Sequence, residues 1–216
     1  MNYSLINNIL IKYFGAFDYR ILKFLHLFAK NTNNLFTNLF KLITFLTEKG
    51  IVFIILAVFL MLFKKTRKIG MCIFLAIFIG AVFTNFILKD SVQRLRPFLY
   101  NLKYEAWWKY VGSPHEDGYS FPSGHTTAAA AFMMALILTI KKKKKYLVIL
   151  VPVLVGISRN YLVAHYPSDV LGAFLIGIIA AILSFAIVKL IYHILNKYNN
   201  KLFKFILNFN IIKKDN

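Results

Sequence analysis

The chain has a single cysteine, Cys72, in 216 residues, which excludes an intrachain disulfide. Cys72 lies inside an apolar segment, where its expected role is packing. Acidic residues are also scarce, with eight Asp and Glu against 27 Lys and Arg. No acidic cluster offers a ligand set for Mg²⁺ or Zn²⁺. Glu116 and Asp117 come nearest, but as loop neighbours they make a poor pair of ligands. We therefore expect no metal site and no cofactor. Charged residues of both signs make up 16%, against about a quarter in an ordinary soluble domain. The N-terminus lacks the compact apolar core and small-residue cleavage site of a secretory signal, so none is expected.

What is abundant is apolar surface: 59% of residues are hydrophobic and the mean hydropathy is +0.62. A helix needs about 20 residues to cross a hydrocarbon core of about 30 Å. Five segments are expected to do so, over residues 50–63, 69–88, 121–140, 146–163 and 170–195. The shorter ones are completed by lysines that snorkel at their ends. The formal charge of +19 does not point to nucleic acid, because the cations are not interleaved with base-stacking aromatics. They fall in short runs between apolar segments. The runs 64–68, 141–145 and the tail beyond the fifth span share one face of an antiparallel series. Their enrichment in Lys and Arg makes that face cytoplasmic. Residues 89–120 and 159–169 then lie on the outer face.

The expected fold is all-α, a polytopic membrane helix bundle with five crossings and added interfacial amphipathic helices. Residues 1–49 are read as the interfacial helices, the only source of a sixth crossing. Residues 50–195 form the membrane core, and residues 196–216 a basic amphipathic cytoplasmic tail. No repeat or long linker divides the chain, and no obligate protein partner is evident.

Three polar stretches interrupt the apolar spans, where ionisable groups are costly to keep without a function. In the first, Lys89 and Arg96 are seven residues apart, which on a continuing helix points both one way. Pro97 stops that helix. Two such cations at a membrane exit make a clamp for a dianionic group. Asp90 and Arg94, four apart, are expected to pair with each other. In the second, Pro122, Ser123 and Gly124 open a helix, whose free N–H groups and dipole favour an anion. Gly124 admits close approach and His125 follows in the first turn. Ala128 and its alanine neighbours suit close helix packing. In the third, Arg159 precedes His165, and Asp169 follows four residues on in the turn that Pro167 opens. A carboxylate bonded to one imidazole nitrogen leaves the other free as a nucleophile.

In order and content these stretches resemble the type-2 phosphatidic-acid phosphatase superfamily, the lipid phosphate phosphatases. Its signature is a Lys, six residues, then Arg-Pro; a Pro-Ser-Gly-His; and a Ser-Arg, five residues, His, three residues, Asp. Lys89 to Pro97, Pro122 to His125 and Ser158 to Asp169 match each defining position. The resemblance spans about residues 35–195 and implies the following roles. His165 is the nucleophile that becomes phosphorylated, Asp169 orients it, and His125 is the general acid. Lys89, Arg96, Arg159, Ser123 and the Gly124 N–H hold the phosphoryl oxygens, with no metal. The implied substrate is a lipid phosphate or diphosphate; the orientation expected from the charge runs presents it at the outer leaflet, and the compact, Lys/Asn/Ile-rich chain suggests a bacterial plasma membrane. In size and layout the chain is similar to undecaprenyl-diphosphate phosphatases. Phosphatidic acid, phosphatidylglycerol phosphate and lipid A phosphates are alternative substrates, and a phosphotransferase an alternative enzyme. A scaffold or transporter is disfavoured, because the ionisable groups cluster at one end of the helices. Residues 102–120 are expected to cover the pocket. Trp107 and Trp108 are read there as interface anchors, with Tyr104, Lys109, Tyr110 and His115 near the headgroup.

Overall fold

The computed structural model describes residues 4–197; the tail expected over residues 196–216 lies outside them from 198 onward. The described residues are helical throughout their regular structure. Ten α-helices run in order: α1 Leu5–Asn31, α2 Thr37–Leu46, α3 Ile51–Met61, α4 Arg67–Val82 and α5 Lys89–Val92, then α6 Pro97–Tyr100, α7 Leu102–Tyr110, α8 Gly124–Thr139, α9 Leu150–Tyr161 and α10 Pro167–Lys197. One wide helical turn, Phe83–Leu88, carries α4 into α5.

Three helical stretches are long and apolar enough to cross a membrane: Thr37–Met61, Arg67–Tyr100 and Pro167–Lys197. The apolar α8 is shorter. The first stretch starts well before residue 50, because α2 runs almost directly into α3. The Thr47 hydroxyl donates to the Ile43 carbonyl (2.8 Å) and Gly50 N–H to that of Thr47 (3.0 Å). With Gly50 at φ +70°, a conformation open to glycine, the chain turns without a loop. The segment assigned to an interfacial helix thus belongs to the first apolar stretch. The fourth expected span is a tight helical turn, Lys143–Ile149, and then α9, which ends in the buried polar residues Ser158, Arg159 and Asn160.

The packing is that of a membrane protein, with small residues inside and large apolar ones outside. Ala57, Cys72, Ala76, Ala128 to Ala131 and Ala181 are buried, whereas Phe78, Leu175, Ile179 and Leu190 are exposed. The alanine run of α8 meets α10 at Gly177, where an added Cβ would sit 2.6 Å from the Ala130 Cβ and 2.7 Å from backbone of α8. Cys72 is buried as a free thiol, and its carbonyl accepts a hydrogen bond from the Ser184 hydroxyl (2.7 Å). α5 and α9 end, and α8 and α10 begin, where the three polar stretches lie.

Candidate active site

The first stretch does not continue as a helix. Gln93 adopts φ +51° after α5, and the chain turns before the extended Arg96 reaches α6. Lys89 and Arg96 still line the same cavity, brought together by this reversal rather than by helical periodicity. Arg96 is buried, and its guanidinium donates to the carbonyls of Ala164 (3.0 Å), Gly118 (3.1 Å) and Asp117 (2.6 Å).

His165 lies in the turn between α9 and α10, beside Val163 at φ +56°. That conformation costs a β-branched residue on the order of 1–3 kcal/mol. The imidazole Nδ1 is 2.7 Å from the Ser120 carbonyl, and Nε2 is 3.3 Å from Arg96 Nη1. A carbonyl only accepts and a guanidinium only donates, so the proton sits on Nδ1 and the Nε2 lone pair accepts from Arg96. Burial, and then the Arg96 and Arg159 cations, hold His165 well below the ordinary histidine value. It is neutral at pH 7. The expected bond from Asp169 to His165 is not the primary one: Asp169 Oδ2 is 3.7 Å from Nδ1. That carboxylate instead accepts from the Ser120 hydroxyl (2.5 Å), the Tyr166 N–H (2.8 Å) and Arg94 (2.5 Å). Ser120 stands between the two residues, donating to Asp169 through its hydroxyl and accepting from His165 through its carbonyl.

Arg159 is fully buried and bonded to Glu116, whose other oxygen is 3.2 Å from Arg96. One carboxylate therefore bridges the two guanidiniums. Burial alone would raise the Glu116 carboxyl, but Arg159 and then Arg96 outweigh it and hold the group below the ordinary value. Nε and Nη1 of Arg159 and Nε2 of His125 are buried without a hydrogen-bond partner. Such groups are costly unless another molecule serves them. Asp117 is exposed, with its carboxylate 3.4 Å from His115.

A cavity of about 760 Å³ brings these elements together. Lys89, Arg96, Gly124, His125, His165 and Glu116 line one part of it, and Phe45, Ile77 and Ala81 form an apolar wall. A Cβ at Gly124 would meet nothing within 4 Å. Ser123, Arg159 and Asp169 stand behind this lining. The Ser123 hydroxyl accepts from Thr126 (3.1 Å) and keeps its own hydrogen to donate.

One expected pairing changes. Asp90 is exposed and does not pair with Arg94, because the turn at Gln93 breaks the four-residue spacing. Arg94 instead joins Asp169 to Asp18 of α1, 2.8 Å away. No sequence signal singled out Asp18, which lies in an otherwise unremarkable amphipathic helix. Trp107 and Trp108 take part in holding the fold. Trp107 stacks on His26 (5.0 Å), and Trp108 stacks on Phe98 (4.5 Å) with its N–H donating to Pro114. Residues 102–120 do cover the cavity, through Pro114, His115 and Glu116. Tyr104 packs edge-on to Tyr166, and Lys109 pairs with Glu105 on the surface.

A helical bundle with an apolar exterior and ionisable side chains gathered round a cavity at one end of its helices is an integral membrane protein. Comparison with known proteins identifies which: a profile of the PAP2 superfamily matches residues 69–192, and the chain belongs to that superfamily, as a membrane phosphatase. A curated relative from Sulfolobus acidocaldarius, an undecaprenyl-diphosphatase, is 33% identical over 175 residues, 80% of this chain and 82% of the relative. Phosphatidylglycerophosphatase B of Bacillus subtilis is 30% identical over 105 residues, 44% of this chain and 46% of the relative. Among solved structures, the transmembrane PAP2-type phosphatidylglycerolphosphate phosphatase of Bacillus subtilis superposes with a TM-score of 0.64. It is 26% identical, with 90% of this chain and 96% of that one covered. LpxE of Aquifex aeolicus superposes with a TM-score of 0.55 at 27% identity, covering 76% and 94%.

Proposed function

We propose that the chain hydrolyses the terminal phosphate of a lipid diphosphate, with undecaprenyl diphosphate as the best fit, through a phosphohistidine on His165. The observation that carries this reading is the Glu116 carboxylate held between Arg96 and Arg159. It marks where two buried guanidiniums already hold an anion, beside an imidazole whose Nε2 lone pair is released for attack when Arg96 turns to the phosphate. The apolar wall of the cavity suits a lipid chain, and the undecaprenyl-diphosphatase relative favours the diphosphate.

In the proposed reaction the phosphate displaces Glu116 and takes bonds from Lys89, Arg96, Arg159, the Ser123 hydroxyl and the Gly124 N–H. Nε2 of His165 attacks phosphorus, and the bond to the leaving lipid oxygen breaks. His125 gives that oxygen a proton. Water then attacks phosphorus as His125 takes its proton, the P–N bond breaks with its electron pair returning to Nε2, and inorganic phosphate leaves. Asp169 favours the cationic ring through Ser120. Three cations offset the phosphoryl charge, so the reaction is expected to survive EDTA.

We further propose five membrane crossings in a bacterial plasma membrane, with the site outside. The lysine-rich runs at the opposite helix ends support this orientation. The test is phosphate release from a panel of lipid phosphates in detergent. Turnover is expected to be fastest on undecaprenyl diphosphate and to fall by at least about 10³-fold in His165→Ala, as for other lost nucleophiles. Full release by His165→Ala would overturn the proposal, and a faster lipid monophosphate would reassign the substrate.

A further inference from the structure

Asp18 takes no part in the reaction set out above, yet it is buried and satisfied on both oxygens. Oδ1 accepts from the Ser168 N–H (2.8 Å), and Oδ2 from Arg94 Nη2 (2.8 Å) and the Ser168 hydroxyl (2.7 Å). Ser168 lies in the first turn of α10, so a carboxylate 150 residues away in sequence caps the helix that carries Asp169. Arg94 continues the chain of contacts: Nη1 reaches Asp169 at 2.5 Å, and the guanidinium lies 3.9 Å over the Tyr166 ring.

The arrangement has more negative charge than a structural brace needs. One guanidinium is shared between two buried carboxylates, an expensive combination when a single pair would neutralise itself. Sharing leaves Asp169 only partly compensated. It remains a strong acceptor for Ser120, whose carbonyl holds the His165 Nδ1 proton, and its residual charge lies 3.7 Å from that ring. Attack by Nε2 makes the ring cationic, and a fixed negative charge nearby favours that change more than the neutral ground state.

We propose that Asp18 is a positioning residue for phosphoryl transfer: through Arg94 it sets the charge and orientation of Asp169, and so of His165. The inference rests on the reading of His165 as nucleophile. It gives α1 a role in the reaction although no atom of that helix is assigned to the substrate.

Asp18→Asn keeps the size of the side chain and an acceptor for Ser168 while removing the charge. Its kcat is expected to fall about tenfold or more, the scale of coupling within a buried charged network. KM and inhibition by inorganic phosphate should stay within about twofold, because the phosphate-binding groups are untouched. Arg94→Gln removes the link itself, so adding Asp18→Asn to it should change kcat by less than about twofold. Losses that multiply in the double variant, an unchanged kcat in Asp18→Asn, or a rise in KM that accounts for the loss would each overturn the proposal. If Asp18→Asn does not accumulate as folded protein, Asp18→Ser takes its place: a lower kcat at constant KM supports the proposal, and an unchanged kcat or a raised KM overturns it. Failure of the underlying reading would appear elsewhere, as hydrolysis retained by His165→Ala.

Discussion

The three arginines of the site differ in what each guanidinium already holds. Arg94 spends its donors on Asp18, Asp169 and Ser168, so it is tied to the scaffold. Arg96 is pinned by three carbonyls and still touches His165 Nε2. Arg159 has Glu116 and two unserved nitrogens, so it has the most capacity left for a ligand. If Glu116 holds the site about 90% of the time, Glu116→Gln should tighten inhibition by inorganic phosphate about tenfold. The same variant leaves buried cations short of a partner and should cost about 1–3 kcal/mol at neutral pH. The folded Glu116 value lies below the unfolded one. Its stabilisation is therefore complete above the ordinary glutamate range and is lost as pH falls through the lowered value. Melting temperatures of the two proteins should differ at pH 7 and converge as pH falls through the lowered Glu116 value. The residues named by their motifs do gather here, because their spacing is tied to helix ends. Glu116, Ser120 and Asp18 are not legible in the same way, since no short spacing joins them to either histidine. In sequence, Glu116 presents itself only as a poor metal ligand.

Among the helices, α8 and α10 set the geometry, since one begins with Gly124 and His125 and the other with the turn holding His165 and Asp169. Their approach depends on small side chains. Gly177→Leu should force the pair apart and lower stability by about 1–3 kcal/mol, with Gly177→Ala less affected. Thermal unfolding in detergent measures both. The alanine run is legible as a packing face because its residues are consecutive and small. The continuity of α2 with α3 is not, because Glu48, Lys49 and Gly50 look like a loop and form a single tight turn. The reversal at Gln93 is equally hidden: the residue is not glycine, and the seven-residue spacing of Lys89 and Arg96 fits a helix just as well. The tryptophans of α7 show the limit of composition as a guide. Two aromatics near a bilayer suit an interface, and only α1 and α6 reveal that their rings are already stacked.

For the molecule as a whole, the distribution of lysine and arginine predicts that the cavity faces away from the cytoplasm. Cys72 is buried and the only cysteine, so a single introduced thiol reports its own side. His115→Cys, at an exposed position over the cavity, should react with a membrane-impermeant maleimide in intact cells. Lys65→Cys, between α3 and α4, should react only after permeabilisation. The reverse pattern would turn the protein over and move the substrate to the inner leaflet. The chemistry has a more direct test in acid-free rapid quenching of the wild-type protein during turnover of a lipid diphosphate, followed by mass spectrometry of its peptides. The phosphohistidine mechanism predicts phosphate on His165, appearing before free phosphate reaches steady state and absent from His165→Ala. Phosphate on His125, or steady turnover with no phosphorylated histidine, would contradict it.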